Sequence, residues 1–450
     1  MTDLDTTAAP VRGVPVADDA ELDALRAWVP SQRWFPAKGS DVRLERVAAV
    51  DLPDPLGEAR VRLHLLALPS GAVLQVPTTV RPEHPGDPVA GVIGPVPGGL
   101  LVDGPHDVAF VRAWLAAASH DGAVPVRIGR PSVVSGEQSN TSVLLPEADR
   151  PGILKVFRVV TAGPNPDVDV PLALTHVGWT GVPRPLAWLA GSWDRSERTA
   201  AVGHLGVLSE LVLGARDGFE LACDHARTGV PFTELADDLG RTTAQMHRAL
   251  RTAIPVQTGH GHAPRGATER HTEVRRVVRT LRERAGAAES RVPEIAARAD
   301  AVRAAYDRLE ALPSVPPLQR VHGDYHLGQV LRSAEGRWYV LDFEGEPQAS
   351  AAEKTRPDLA LRDLAGMLRS LDYAAAVGGA RDPGWLRQAR AALISGYERE
   401  TGGAAAGLDV ILPALELDKA LYEVVYESGN RPDWLSIPLA GVDRLLSRTP

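Results

Sequence analysis

Hydrophobic and polar positions change rhythm several times along this chain of 450 residues. Ala59-Arg60-Val61-Arg62-Leu63-His64-Leu65 alternates with a period of two, the pattern of a strand with one buried face. Val47–Val50 precedes it, and Ala72–Val76 follows a Ser70-Gly71 turn, so residues 42–80 read as strands. An amphipathic helix over Glu21–Val29 comes before them, and the polar, Ala/Pro-rich residues up to 17 read as a loose terminus. Pro and Gly crowd Arg81–Gly104, which reads as a connection, and Ala109–Ala118 reads as a helix. A second β-rich stretch follows, with strands at Val133–Ser135, Ser142–Leu145, Ile153–Phe157, Val182–Ala190 and His204–Leu213.

Beyond Gly214 the rhythm turns helical. Ala236–Arg251 carries Leu239, Thr243, Met246, His247 and Leu250 at helical spacing. Further helices are expected over Val274–Ala285, Pro293–Leu312, Arg362–Ala376, Gly384–Glu400 and Leu408–Ser428, with one β-island at Arg320–Phe343 among them. The layout divides into a terminus (1–17), a β-rich N-terminal unit (18–104), a helix and small β lobe (105–213) and a helical lobe (214–450).

Composition narrows the class. Hydrophobic residues are 44% and charged ones 24%, which excludes a disordered or collagen-like chain. A net charge of −8 without a basic run argues against non-specific nucleic-acid binding. No apolar stretch approaches the roughly 20 residues that cross a bilayer, and the acidic start lacks the order of a secretory signal. The single cysteine, Cys223, makes neither an internal disulfide nor a multi-thiolate zinc site. A cytoplasmic enzyme is expected. Only Lys38, Lys155, Lys354 and Lys419 are lysines among the 49 basic side chains. Codon bias accounts for most of that, but lysine and arginine differ in shape and hydration, so each survivor is a candidate for a role.

The chemistry concentrates in His322-Gly323-Asp324-Tyr325-His326-Leu327-Gly328-Gln329, followed by Leu341-Asp342-Phe343-Glu344-Gly345-Glu346. Val330–Leu331 and Trp338–Leu341 flank the turn-rich residues 332–336, so a hairpin brings Asp342 back beside Gln329 and near Asp324. Two carboxylates and an amide oxygen suit a hard cation such as Mg²⁺ that also takes phosphate oxygens. Taken singly, the same residues fit turn caps and local packing. Gly259-His260-Gly261-His262 reads as a plain loop.

This pattern resembles the protein-kinase-like fold in its aminoglycoside phosphotransferase branch, where His-Gly-Asp and Asp-Phe-Glu replace the kinase catalytic and metal-binding loops. A closer similarity is to the actinobacterial maltokinases. It is carried by Gly136–Val143, Arg320–Pro347, Leu417–Glu427 with Arg431-Pro432-Asp433-Trp434-Leu435, and Ser31-Gln32-Arg33-Trp34. The resemblance implies an α+β, bilobal kinase-like fold with a β-rich N-terminal cap domain. It also implies ATP- and Mg²⁺-dependent phosphorylation of maltose to maltose 1-phosphate. A place in α-glucan (glycogen) synthesis goes with this, linked to a trehalose synthase and a maltosyl-transferring enzyme.

The resemblance also implies roles. Asp324 would orient or deprotonate the acceptor hydroxyl, Gln329 and Asp342 would hold Mg²⁺, and Lys155 would reach the nucleotide phosphates. Ser139, Asn140 and Thr141 would cover those phosphates, and Glu210 and Leu211 would face the adenine through backbone groups. The lysine normally pairs with a helix glutamate. Asp169 is the best candidate here, with Asp167 as the alternative. His322, Glu344, Asp418, Lys419, Tyr422, Glu423 and Tyr426 would meet the sugar. Lys419, Tyr422, Glu423 and Tyr426 share one helix face, which equally fits a solvated face with i,i+4 ion pairs. Rival readings are a sibling kinase acting on glucosamine or another amino sugar, a pseudokinase binding module, and a metal-dependent hydrolase.

Overall fold

The computed structural model of this chain describes residues 9–16, 19–39, 42–82, 90–122, 127–134, 139–196, 199–256, 267–346, 354–403 and 408–447. The chain divides into two units, Met1–Leu172 with Pro183–Leu211, and Ala173–Val182 with Val212–Pro450.

In the first unit the chain runs through β1 (Val11–Arg12), α1 (Ala20–Trp28), β2 (Glu45–Leu52), β3 (Arg60–Ala67), β4 (Val73–Arg81), β5 (Val92–Val96), β6 (Gly99–Asp103) and α2 (Val108–Ala117). There follow β7 (Ser119–His120), β8 (Ser132–Val133), β9 (Asn140–Leu145), β10 (Gly152–Phe157), β11 (Val159–Val160), α3 (Pro166–His176), β12 (Pro185–Ser196) and β13 (Thr199–Glu210). One sheet has the order β2-β3-β4-β6-β5, with β11 also on β4; the other has β1-β12-β13-β10-β9-β8, with β7 on β12.

The alternation in β3 explains how these layers join. Val61, Leu63 and Leu65 enter a core with Phe110 and Trp114 of α2 and with Val143, Leu154 and Leu208 of the second sheet. Leu66 points the other way, toward Leu22 and Leu25 of α1 and the buried Trp34 and Phe35. Arg158, fully buried, lays its guanidinium over the Trp34 ring at 4.5 Å and bonds Asp103 at 2.8 and 3.0 Å.

Two expectations are corrected here. The terminus is tied down over its described part: β1 pairs in parallel with β12, and Val14 bridges Ala49. Arg81–Gly104 is not a bare connection, because β5 and β6 form a hairpin in the first sheet. Pro95 sits in β5, which lies at the sheet edge, where a missing N–H breaks no ladder.

The second unit contains β14 (Arg216–Asp217), α4 (Gly218–Thr228), α5 (Thr233–Ala253), α6 (Ala267–Glu289), α7 (Pro293–Ala296), α8 (Ala299–Glu310), β15 (Val330–Arg332) and β16 (Trp338–Val340). It ends with α9 (Leu361–Gly378), α10 (Pro383–Thr401), α11 (Leu408–Asn430) and α12 (Ser436–Ser447), the last not anticipated from the pattern. β14, β15 and β16 make a small sheet. α5 and α10 approach closely because a Cβ on Gly240 would meet Leu393 O at 2.1 Å and one on Gly396 would meet Asp237 O at 2.0 Å. Among the described residues no helix is long and apolar enough to cross a membrane. The Gly259–His262 segment lies outside the described residues.

Candidate active site

The hairpin fixes the loop. Val330 faces Val340, and one step beyond the ladder the Leu341 N–H donates to Gln329 O at 2.9 Å. The Leu341 carbonyl accepts from His322 Nε2 at 2.7 Å. Leu341, one residue before Asp342, is therefore clamped to both ends of the His322–Gln329 stretch. Asp363, buried on α9, accepts the amides of His322 (2.9 Å) and Gly323 (3.0 Å) and bonds His247 Nε2 at 3.0 Å. Burial alone would raise this carboxyl, but His247, His322 and the Gly323 amide outweigh it and hold it below its ordinary value. Gly323 has φ +90°, a conformation open to glycine, so the turn that presents Asp324 depends on it.

His326 caps the short turn Leu327–Gln329. Its Nδ1 accepts the Gly328 N–H at 3.1 Å, which leaves the proton on Nε2, 3.9 Å from Asp324 Oδ2. Lys419 of α11 lies on the other side, its ammonium 3.2 Å from Asp324 Oδ1 and 3.7 Å from Glu346 Oε1, and 4.9 Å from the centre of the Tyr422 ring.

Gln329 Oε1 is buried and has no hydrogen-bond partner. Asp342 adopts φ +52°, a sparsely populated conformation for a residue with a Cβ that recurs at functional turns. An orphaned amide oxygen and a carboxylate on adjoining backbone are the hard donors a magnesium ion takes, with its remaining positions left to phosphate and water oxygens. Among the described residues no group of three or more His, Cys, Asp or Glu side chains is arranged to hold a metal ion.

Asp324 opens onto a cavity of about 610 Å³. Lys419, Tyr422, Glu423 and Tyr426 all line it, as the helix-face reading requires. Glu423 is held by Arg369 at 2.8 Å, and Glu427 by Arg431 at 2.6 and 2.8 Å. The Arg431 guanidinium in turn lies 4.5 Å from the Trp434 ring and 5.5 Å from that of Tyr426. Phe219 and Glu220 complete the wall at the start of α4, where the Asp217 carboxylate accepts both their amides.

The profile of the maltokinase N-terminal cap domain matches residues 28–107, and that of the phosphotransferase enzyme family matches residues 229–402. A glucosamine kinase of Mycolicibacterium smegmatis is 30% identical over 332 residues, covering 70% of this chain and 79% of that protein. This chain belongs to the phosphotransferase enzyme family, in the branch with the maltokinase cap. A glucosamine kinase of Streptacidiphilus jiangxiensis is 29% identical over 371 residues, 76% of this phosphotransferase and 77% of the relative. The structure of a glucosamine kinase in complex with glucosamine, ADP and inorganic phosphate has the same fold, with a TM-score of 0.65 at 23% identity over 94% of this chain and 98% of that one.

In the first unit of this phosphotransferase, Lys155 on β10 bonds Asp167 at 2.5 Å. α3 lies on that face of the sheet through Val168 and Leu172, packed with Phe157 and Val207. Asp169 is thus not the lysine's partner: two residues further along the helix it points elsewhere, with Oδ2 buried and unpaired. Burial pushes its carboxyl up to about 6. Lys155 faces Ser142 and Phe157 faces Asn140, so Asn140 shares the lysine's side of the sheet. Thr141 faces Val156 on the other side and its hydroxyl accepts from Arg158 Nε at 2.8 Å, so it is not a phosphate contact. Ser139 is exposed at the entry to β9, and Gly136–Gln138 lie outside the described residues. The amides of Glu210 and Leu211 bond the carbonyls of Arg184 (2.9 Å) and Pro151 (3.0 Å), so neither is a free donor for an adenine edge.

Three of the expected sugar contacts are also displaced. His322 is fully buried and positions Leu341 and Asp324 instead of touching a ligand. Asp418 is one residue, about 100° of helix, from Lys419; it is buried and bonded to Arg284 (3.0 Å) and Arg362 (2.7 Å). Glu344 does not line the cavity, whereas Glu346 reaches Lys419. Phe219, Glu220, Tyr373, Arg431 and Trp434 were not assigned from sequence. Arg431 and Trp434 stand in a stretch that already carried the resemblance.

Proposed function

We propose that this phosphotransferase transfers the γ-phosphoryl group of ATP to the anomeric hydroxyl of maltose, giving maltose 1-phosphate and ADP. The observation that carries the reading is the cavity holding Asp324, Lys419 and the aromatic face of α11 together. Its volume, about 610 Å³, is roughly twenty times a water molecule's share of the liquid, which suits a disaccharide better than one ring. Glu423 and Glu427 are already neutralised by Arg369 and Arg431, so they offer acceptors to neutral hydroxyls. Tyr422, Tyr426 and Trp434 offer apolar faces to sugar rings.

Asp324 orients the acceptor hydroxyl and takes its proton as the oxygen attacks phosphorus and the bond to the β-phosphate oxygen breaks. Lys155, steadied by Asp167, binds the nucleotide phosphates. Gln329 and Asp342 would hold Mg²⁺, which when bound neutralises phosphate charge. Lys419 keeps Asp324 in place and adds a fixed cation beside the reacting oxygen.

A second reading is phosphorylation of glucosamine. Glu220 lines the cavity and forms no ion pair among the described residues, so it is a candidate partner for a sugar ammonium, and the two relatives described above are glucosamine kinases by name. Turnover on maltose, glucosamine and glucose with ATP decides the matter. The maltose reading expects kcat/KM at least about tenfold higher on maltose. A reversed order replaces it with the amino-sugar reading, and phosphate release without any acceptor would sink both.

A further inference from the structure

A second cavity, about 420 Å³, opens between α6 and the start of α9 and shares no lining residue with the first. Four guanidinium groups face it, those of Arg276, Arg284, Arg356 and Arg362, against the carboxylates of Glu283 and Asp358. Arg362 is committed to Asp358 (2.5 Å) and Asp418 (2.7 Å), but much of the donor capacity of the other three is unused. Arg276 gives one nitrogen to Glu273 and Arg284 one to Asp418, while Arg356 is exposed and forms no ion pair among the described residues. Each guanidinium has five N–H groups in a fork that fits phosphate oxygens. The cavity also lies within the size range of small-molecule sites.

Its inner wall leads to the catalytic loop. Asp418, only 3% exposed, accepts from Arg284 and Arg362 together. The next residue on α11 is Lys419, whose ammonium holds Asp324. A dianion drawing Arg284 and Arg362 outward would leave Asp418 buried with less compensation, a change that the following residue on the same turn must feel.

We propose that this cavity binds the phosphate group of a small phosphomonoester, and that occupancy is transmitted through Asp418 and Lys419 to Asp324. The binding half stands on the cavity alone; the transmission half rests on Asp324 having the role given above. Binding at this site and acceptor binding then alter one another by the same factor.

The experiment titrates glucose 6-phosphate, inorganic phosphate and, as the neutral control, glucose into the full chain by calorimetry. The wild type is compared with Arg276→Gln/Arg356→Gln, two changes at partly or fully exposed positions outside the catalytic machinery; a circular-dichroism melt checks that the variant is folded. Binding of both phosphates but not of glucose, weakened about tenfold or more in the variant, is the expected result. No binding up to about 10 mM, or equal affinity in the variant, overturns the site. Acceptor kcat/KM is expected to change about threefold or more with glucose 6-phosphate in the wild type and not in the variant. Phosphate binding without that change overturns the transmission half. Because calorimetry needs no turnover, a chain inactive on every sugar tested would refute the catalytic reading and still leave the binding result decisive.

Discussion

The Lys419 ammonium sits 3.2 Å from the Asp324 carboxylate, joining residues 95 positions apart, with both side chains less than one-fifth exposed. Burial alone would lower this lysine, but Asp324, Glu346 and Glu423 outweigh it and hold its pKa above the ordinary value. Lys419 is therefore a fixed cation at any physiological pH. Lys419→Met is expected to lower kcat/KM for the acceptor about 100-fold while nucleotide affinity stays within about threefold. Arginine should restore little, because its planar fork cannot replace a point charge packed over Tyr422. Steady-state kinetics with calorimetric nucleotide titration check this; near-normal turnover would reduce Lys419 to a structural ion pair.

Asp324→Asn keeps the shape of the side chain and removes its capacity to accept a proton. Turnover should fall by about 100-fold or more, with the nucleotide still bound, since the group lies in the cavity proposed for the acceptor. Activity close to wild type would remove Asp324 from the chemistry.

Asp167 and Asp169 make a matched pair for testing which acid serves Lys155. Asp167→Asn should lower kcat/KM for nucleotide about tenfold or more, because it removes the contact that aims the ammonium. Asp169→Asn should leave it within about threefold. Equal losses in both variants would point to a disturbed helix instead of a specific pair.

What the sequence disclosed and withheld has a common physical origin. The 330–340 hairpin was legible because its partners are close along the chain and its turn residues are explicit. Choosing between Asp167 and Asp169 depended on where Val168 and Leu172 seat α3 on the sheet, a long-range packing outcome. Thr141 could have been placed from pattern alone: Thr141, Val143 and Leu145 alternate as one buried face, so its hydroxyl belonged with the core and not with Lys155. Asp418 was harder to separate from Lys419: it stands about 100° round the helix, and only its burial against Arg284 and Arg362 takes it away from the cavity. The strand at Val92–Val96 was obscured by Pro95, which weighs against a central strand but not an edge one.

Asp169 also sets a pH dependence of stability. Its carboxyl titrates at about 6 in the folded chain against an ordinary value of 3.8. Below both values folded and unfolded chains alike hold the proton and the residue is neutral in effect. Between them the unfolded chain has released a proton that the folded chain retains, so stability falls as pH rises, and above about 6 the full penalty of ionising a buried carboxylate is present. Asp169→Asn should therefore raise the melting temperature at pH 8, by an amount corresponding to about 1–3 kcal/mol, and leave it unchanged at pH 3. Melting curves of both proteins at the two pH values test the sign. An equal shift at both would trace the effect to packing, not charge.

Gln329 yields a prediction whose two halves have opposite signs. Its Oε1 is buried without a partner, a state that costs about 1–3 kcal/mol. Such an orphan persists where something other than the protein completes it, and the neighbouring turn at Asp342 supplies the second hard donor. Leucine has a similar volume and no polar atom, so Gln329→Leu removes both the orphan and the proposed metal contact. Without divalent cations the variant should melt at a higher temperature than the wild type. The Mg²⁺ concentration needed for half-maximal turnover should nevertheless rise about tenfold or more. A structural glutamine would behave the other way: its loss would lower the melting temperature and leave the magnesium requirement where it was.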